Sequence, residues 1–251
     1  MRQSSTDKRH FITVSVLVLI GTAVMFWLLD SALPMPIQAS IQAQTVDQVF
    51  QWTLIAIAFL FSLVVVFMLY TVIVFRRRRG DTGEGEHFEG NTALEIIWTV
   101  VPLLLVVLFG YIGVTTLTDI TKAQENEVVV QVEGFQWSWL FTYPTDSGEF
   151  TSTELVLPVD QPARMEMSSR DVNHSFWIVE MRVKQDVLPG QTTVLRFTPT
   201  IEGDYKLRCA ELCGLSHWNM LASVRIVSPE EYDAWLAQQS SQAAAITTAS
   251  N

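Results

Sequence analysis

GDYKLRCAELCGLSHWNMLASVRIV, residues 203–227, is the stretch on which the fold turns. It opens and closes on alternating apolar residues (Tyr205, Leu207 and Cys209, then Ala222, Val224 and Ile226), the period-2 signature of strands with one buried face. Between them lies a loop carrying Cys209, Cys213, His217 and Met220: two thiols, an imidazole and a thioether within twelve residues. Soft sulfur ligands beside imidazole select copper, or zinc where the site is closed and tetrahedral. The two cysteines are also the whole cysteine content of the chain, so a simple disulfide is the plain alternative. A structural zinc site has no use for Met220, and a mononuclear blue-copper site needs one cysteine. A second thiolate placed to bridge two metals is what separates a binuclear centre from these. A further histidine, His174, opens the strand pattern HSFWIVE, whose end a Greek-key barrel can bring beside the loop.

Outward from this stretch the same pattern continues. EVVVQVE, FQWSWLF, TELVLP, RMEMSS, HSFWIVE and TTVLRFT precede it from residue 127, each bounded by turn residues, as in a β-sandwich or Greek-key barrel. After it, Ser228, Pro229 and Glu231 form a capping box with a first-turn proline, which predicts a short helix over PEEYDAWLAQQ. The small, polar residues 236–251 are expected to be a disordered tail.

The N-terminal half is of another kind. Apolar runs at Phe11–Leu29, Trp52–Phe75 and about Ile96–Leu117 are each long enough to cross a bilayer core, with Pro102 expected in the first turns of the third. The first follows Arg2, Lys8 and Arg9, as a cleaved signal would, but it is long for one and lacks a clean small-x-small site before Ala39. A retained helix is favoured. Arg76–Arg79 at the end of the second run mark the cytoplasmic side, so the residues after 118 emerge outside. The expected division is 1–45 for the first helix and connector, 46–118 for a helical hairpin, 119–235 for the β domain and 236–251 for the tail. The net charge is −10, and from Asp119 onward acids outnumber bases roughly two to one. Such a surface excludes nucleic acid as a partner and suits a basic protein.

With these residues in view, the chain from about Val46 to Trp235 resembles subunit II of the haem–copper cytochrome oxidases. The resemblance implies N-terminal transmembrane helices followed by an all-β cupredoxin-like Greek-key barrel, in a multi-pass protein of the bacterial plasma membrane with its copper domain outside. It implies a binuclear copper centre (CuA): Cys209 and Cys213 bridge two copper ions, His174 and His217 each bind one terminally, and Met220 and the Glu211 carbonyl are weak ligands. The Glu211 side chain would reach a magnesium or manganese ion shared with subunit I. Partners implied are subunits I and III, membrane lipid, and a soluble donor such as cytochrome c or a small blue-copper protein. No Cys-x-x-Cys-His is present, so the donor is expected to be a separate protein.

Three further segments match. EGFQWSWLF resembles the family's aromatic segment, with Trp137 where electrons arrive from the donor; Phe135 and Ser138 stand where the family often has histidine and tyrosine. RVKQDVLPG matches a segment near subunit I, and Asp171 and Asp186 would belong to an acidic docking face. LEIIWTVVP places Glu95 at the cytoplasmic mouth of the last helix, where the family has a proton path into subunit I; a helix-start acid favoured by the dipole is the plain alternative. A quinol oxidase subunit would keep the fold and lose Cys209, Cys213 and His217. A membrane-tethered copper carrier would account for the thiols but not for Glu95 or the aromatic segment.

Overall fold

The computed structural model describes residues 5–84, 87, 89–145 and 148–249. It divides into two compact units, residues 1–35 with 48–113 and residues 36–47 with 114–251.

In the first unit, α1 (Ser5–Ala32), α2 (Ile41–Val74) and α3 (Thr92–Thr121) are long and apolar enough to cross a membrane. Small residues let α1 and α2 approach closely. A Cβ added to Gly21 would lie 3.3 Å from the Ser62 side chain, and Ala58 and Ser62 are buried beside it. No side chain of α3 is fully buried. The helix starts earlier than its apolar run suggests, because the Asn91 side chain accepts the N–H of Ala93 at 3.1 Å and of Leu94 at 3.2 Å. Pro102 therefore falls in the helix interior rather than in its first turns.

The second unit is a two-sheet sandwich. One sheet has the order β3 (Gly148–Ser152), β2 (Ser138–Thr145), β1 (Val128–Phe135), β5 (Ala163–Ser169), β8 (Thr193–Phe197). The other has β4 (Leu155–Pro158), β10 (Leu221–Val227), β9 (Gly203–Cys209), β6 (His174–Ile178), β7 (Lys184–Val187). The expected fold class holds, with ten strands among the described residues in place of eight. β3 and β7 are short edge strands with little apolar alternation to announce them. FQWSWLF is not one strand: β1 ends at Phe135 and β2 begins at Ser138, paired with each other, so Gln136 and Trp137 form a two-residue hairpin tip. Inward side chains such as Val130, Val132, Trp139 and Phe141 meet Leu155, Phe176, Leu207 and Val224 in one core. Tyr143 fastens the layers together: its hydroxyl donates to the Val156 carbonyl (3.1 Å) and accepts the Val156 N–H (2.7 Å).

Two additions complete the domain. α4 (Pro229–Ala249) starts as expected, with the Glu231 N–H on Ser228 Oγ at 3.2 Å. It then continues to Ala249, so the disordered tail expected from 236 is instead helix as far as the described residues go. Trp235, Leu236 and Ala243 pack on the core, with the Trp235 and Tyr143 rings 5.0 Å apart. That apolar face supplies the packing which short-range composition hid.

The second addition is the connector before α2 together with the first two turns of that helix. The Ala39 N–H bonds the Glu180 carbonyl, the Thr200 N–H bonds the Ala39 carbonyl, and the Gln42 side chain accepts the Thr198 N–H. Buried Arg182, in a left-handed turn at φ 64°, holds both oxygens of buried Asp47 at 2.7 and 3.0 Å and also donates to the Val179 carbonyl. Removing one partner of such a pair strands a buried charge. Asp47→Ala should therefore cost about 3–5 kcal/mol in the denaturant unfolding of the β domain, whereas the paired change Asp47→Leu with Arg182→Met should recover most of it. An unfolding midpoint unmoved by Asp47→Ala would show the pair to be solvated.

Candidate metal centre

The loop between β9 and β10 is held at its base by the Cys209 N–H on the Met220 carbonyl, 3.2 Å. The register there pairs Leu221 with Arg208, so both ends of the loop are fixed by one sheet. β6 lies on the other side of β9, with Phe176 opposite Cys209, which brings His174 alongside. The Ala210 N–H bonds the Ser175 carbonyl and ties the loop's first residue to β6.

These constraints converge the donor atoms. Cys209 Sγ lies 3.8 Å from Cys213 Sγ, 3.9 Å from His174 Nδ1 and 3.2 Å from the Glu211 carbonyl oxygen. Cys213 Sγ lies 3.6 Å from His217 Nδ1 and 3.7 Å from Met220 Sδ. Metal–sulfur and metal–nitrogen bonds at tetrahedral angles put neighbouring ligand atoms about 3.5 Å apart. Both cysteines are free, and their sulfurs are far beyond disulfide bonding distance. His174 and Met220 are fully buried, His217 is half-buried, and the Glu211 side chain points out while its carbonyl faces the sulfurs. Two thiols, two imidazoles, a thioether and a carbonyl in one pocket fit copper by donor chemistry.

The groups behind the donors explain their aim. His174 Nε2 lies 2.8 Å from Asp171 Oδ1, which leaves Nδ1 turned to the sulfurs. Partial desolvation would raise the Asp171 carboxyl, but hydrogen bonds from the Gln136 N–H, His174 and the Val172 N–H outweigh it and hold the group down at about 2. Burial first, then the neighbouring Cys209 sulfur, pushes the Cys213 thiol up to about 12. Metal uptake must therefore expel thiol protons, and affinity falls as pH falls.

Two glycines make room. A Cβ on Gly134 would press on the His174 ring at 3.2 Å and on Trp139 at 3.1 Å. One on Gly214, at φ +121°, would lie 2.9 Å from Gln136 Nε2 and 3.3 Å from the Trp137 ring. The reason is that the hairpin tip leans onto the loop: Gln136 Nε2 and Trp137 Nε1 both donate to the Cys213 carbonyl, at 2.8 and 3.3 Å.

Residues 26–115 match the transmembrane domain of cytochrome c oxidase subunit II, and residues 149–227 match its periplasmic domain. Cytochrome c oxidase subunit 2 of Synechocystis is 33% identical, over 88% of this chain and 81% of its own length. That of Thermostichus vulcanus is 34% identical, over 90% of this chain and 84% of its own length. The chain belongs to the cytochrome c oxidase subunit II family. It is thus a membrane component of a haem–copper oxidase, with the copper domain on the outer side. Among solved structures, the periplasmic domain of oxidase subunit II from Bradyrhizobium japonicum aligns with TM-score 0.45 and 26% identity, over 48% of this chain and 99% of that domain.

His174, Cys209, Cys213, His217, Met220 and the Glu211 carbonyl are thus gathered in one place, with Trp137 against them. Glu95 belongs to the first unit, in the first turn of α3. The sequence reading assigned no role to Gln136, Gly134 or Gly214, and it took Asp171 for a docking carboxylate only. A carboxylate three residues before a ligand histidine was the available signal for Asp171. Asp171→Asn should weaken copper binding to the domain about 10- to 100-fold in a chelator competition, with the fold intact. Unchanged affinity would reduce Asp171 to a surface acid.

Proposed function

We propose that this chain accepts electrons from an extracytoplasmic donor protein at a binuclear copper centre and passes them to haem in subunit I. Oxygen is reduced there, and the reaction is coupled to proton pumping. The observation that carries this reading is the bond from the Trp137 indole to the Cys213 carbonyl. A ring 37% exposed at one end is thereby tied directly to a ligand residue at the other. In this role Cys209, Cys213, His174 and His217 would hold the two copper ions, the two thiolates shared between them, with Met220 and the Glu211 carbonyl as weaker ligands. The copper pair supplies a one-electron store that makes and breaks no bonds. The protein's part is to keep that geometry still, which the anchoring of the loop to β6, β9 and the hairpin tip favours.

The exposed Glu211 side chain is free to reach a magnesium or manganese ion at the face toward subunit I. Leu212, Leu215 and Trp218 stand out from the loop at 77%, 89% and 78% exposure, an apolar rim suited to a protein partner. The acidic surface steers a basic donor such as cytochrome c toward it. Glu95, exposed in the first turn of α3, is the proposed point at which cytoplasmic protons reach subunit I.

Trp137→Phe keeps an aromatic ring but loses the indole N–H. Donor-to-copper transfer should slow by an order of magnitude or more, followed by stopped flow, while copper content stays at two per chain. An unaltered rate would move electron arrival away from Trp137. Cys209→Ser or Cys213→Ser should each abolish the mixed-valence spin signal, since one thiolate cannot bridge both metals well; a normal signal in either variant would refute the bridged pair. Glu95→Gln cannot ionise, so oxygen reduction by the whole complex should slow with copper content and donor-to-copper transfer unchanged. Wild-type turnover would leave Glu95 as a helix-start acid stabilised by the dipole.

A further inference from the structure

α1 touches α2 at three places along its length. At the outer end, Gln51 Nε2 donates to Asp30 Oδ1 at 3.3 Å; in the middle, Gly21 sits against Ser62. At the inner end, His10 Nδ1 lies 2.6 Å from the Tyr70 hydroxyl, with the Phe75 ring 5.3 Å from the imidazole. Between the middle and inner contacts the helices part. They leave a cavity of about 420 Å³ whose walls include Phe11, Val14, Val18, Phe59, Leu63 and Phe67.

The position of this groove defines what can fill it. It runs from His10 to Leu19 on α1, roughly 15 Å at the helical rise, or one leaflet of the hydrocarbon core. Its walls are mostly apolar, with Ser15 partway along them, and at the mouth His10 and Tyr70 face each other. Just beyond that mouth the exposed cations Lys8 and Arg9 lie in the first turns of α1, and Arg76, Arg78 and Arg79 follow α2. An apolar slot one leaflet deep, opening beneath a ring of positive charge, matches an acyl chain below an anionic headgroup. The positive-inside rule accounts for the arginines alone but not for a leaflet-length slot aligned under them.

We propose that the α1–α2 groove is a binding site for one acidic phospholipid. An acyl chain lies along Val14, Phe59 and Leu63. The phosphate is held at the mouth by the His10–Tyr70 pair and the cations of the two helix ends. The lipid fills space between helices that make few other contacts on this face, so it acts as a structural third partner to the hairpin.

The test uses the full chain in the complex with which it purifies, reconstituted in vesicles of equal phosphatidylglycerol and phosphatidylcholine. The complex is then re-extracted in mild detergent and weighed intact. Wild type should retain one phosphatidylglycerol per chain, preferred over phosphatidylcholine by about fivefold or more, since each nearby cation favours an anionic headgroup by about that factor. Ser15→Trp, which fills the groove and leaves every cation in place, should lose it; Tyr70→Phe should retain less. Copper content, read in parallel, certifies that each variant is folded. Equal retention of both lipids, or retention in Ser15→Trp, would refute the site. So would a mature chain lacking α1, or a photo-crosslinker at Val14 that captures a protein subunit in place of lipid. None of these readings depends on electron transfer, so they stand or fall apart from the proposed function.

Discussion

A backbone hydrogen bond from the Cys209 N–H to the Met220 carbonyl closes the loop on which the outer domain's chemistry depends. It is the last rung of the β9–β10 ladder, and everything between those residues is excluded from sheet pairing. A loop of ten residues left to itself would sample many conformations at a cost in entropy for each one fixed. Here the fixing is shared among rigid neighbours: β6 through the Ser175 carbonyl, the β1–β2 tip through Gln136 and Trp137, and Asp171 through His174. Buried polar groups of this kind find partners because burial without them is costly. The same bonds that satisfy them also aim the donor atoms.

The shared fixing has a geometric price, visible at Gly134 and Gly214. Both positions sit where a strand or loop comes within contact distance of an aromatic ring: a Cβ at Gly134 would crowd His174 and Trp139, and one at Gly214 would also strain a backbone at φ +121°. Close approach of two backbones is what allows the Trp137 indole to touch the carbonyl of a ligand residue. The sandwich core behind them can be conventional, since its task is to resist movement. Tyr143, bonded to both groups of Val156 across the two sheets, and the Asp47–Arg182 pair at the connector serve that task far from the metal centre.

The sequence carried most of this architecture in its periodicities. The apolar runs announced the helices, and alternation announced eight strands, because burial on one face leaves a mark in composition. What escaped notice depended on contacts with no local mark. The Gln136–Trp137 tip reads as strand because both flanks are aromatic, and only the pairing of Phe135 with Ser138 reveals a turn. α4 reads as a short helix because its second half is small and polar, yet Ala243 reaches the core. The start of α3 was set by the Asn91 cap rather than by hydrophobicity. The donor residues other than His174 were legible because they cluster in twelve positions. Supporting residues such as Gly134, Gln136 and Asp171 were not, because they lie outside that cluster and only the fold brings them to it.

The acidic and apolar features of the outer domain suit different stages of the encounter proposed with an electron donor. Fields from many exposed carboxylates act over a Debye length of about 10 Å and so govern approach. Contact between surfaces is shorter in range and is decided by groups such as Leu212, Leu215 and Trp218, which desolvate readily. An electron carrier must release its partner after each transfer, and steering by screened charge raises the rate of arrival without deepening the bound state. Asp171 would be poorly used as one more steering charge, since its oxygens already accept the Gln136 and Val172 N–H groups and face His174. Its value lies inward. Carboxylates without such bonds, Asp186 among them, remain available to the field. The division between charges that hold the site and charges left to act at a distance is thus written in their hydrogen bonds rather than in their sign.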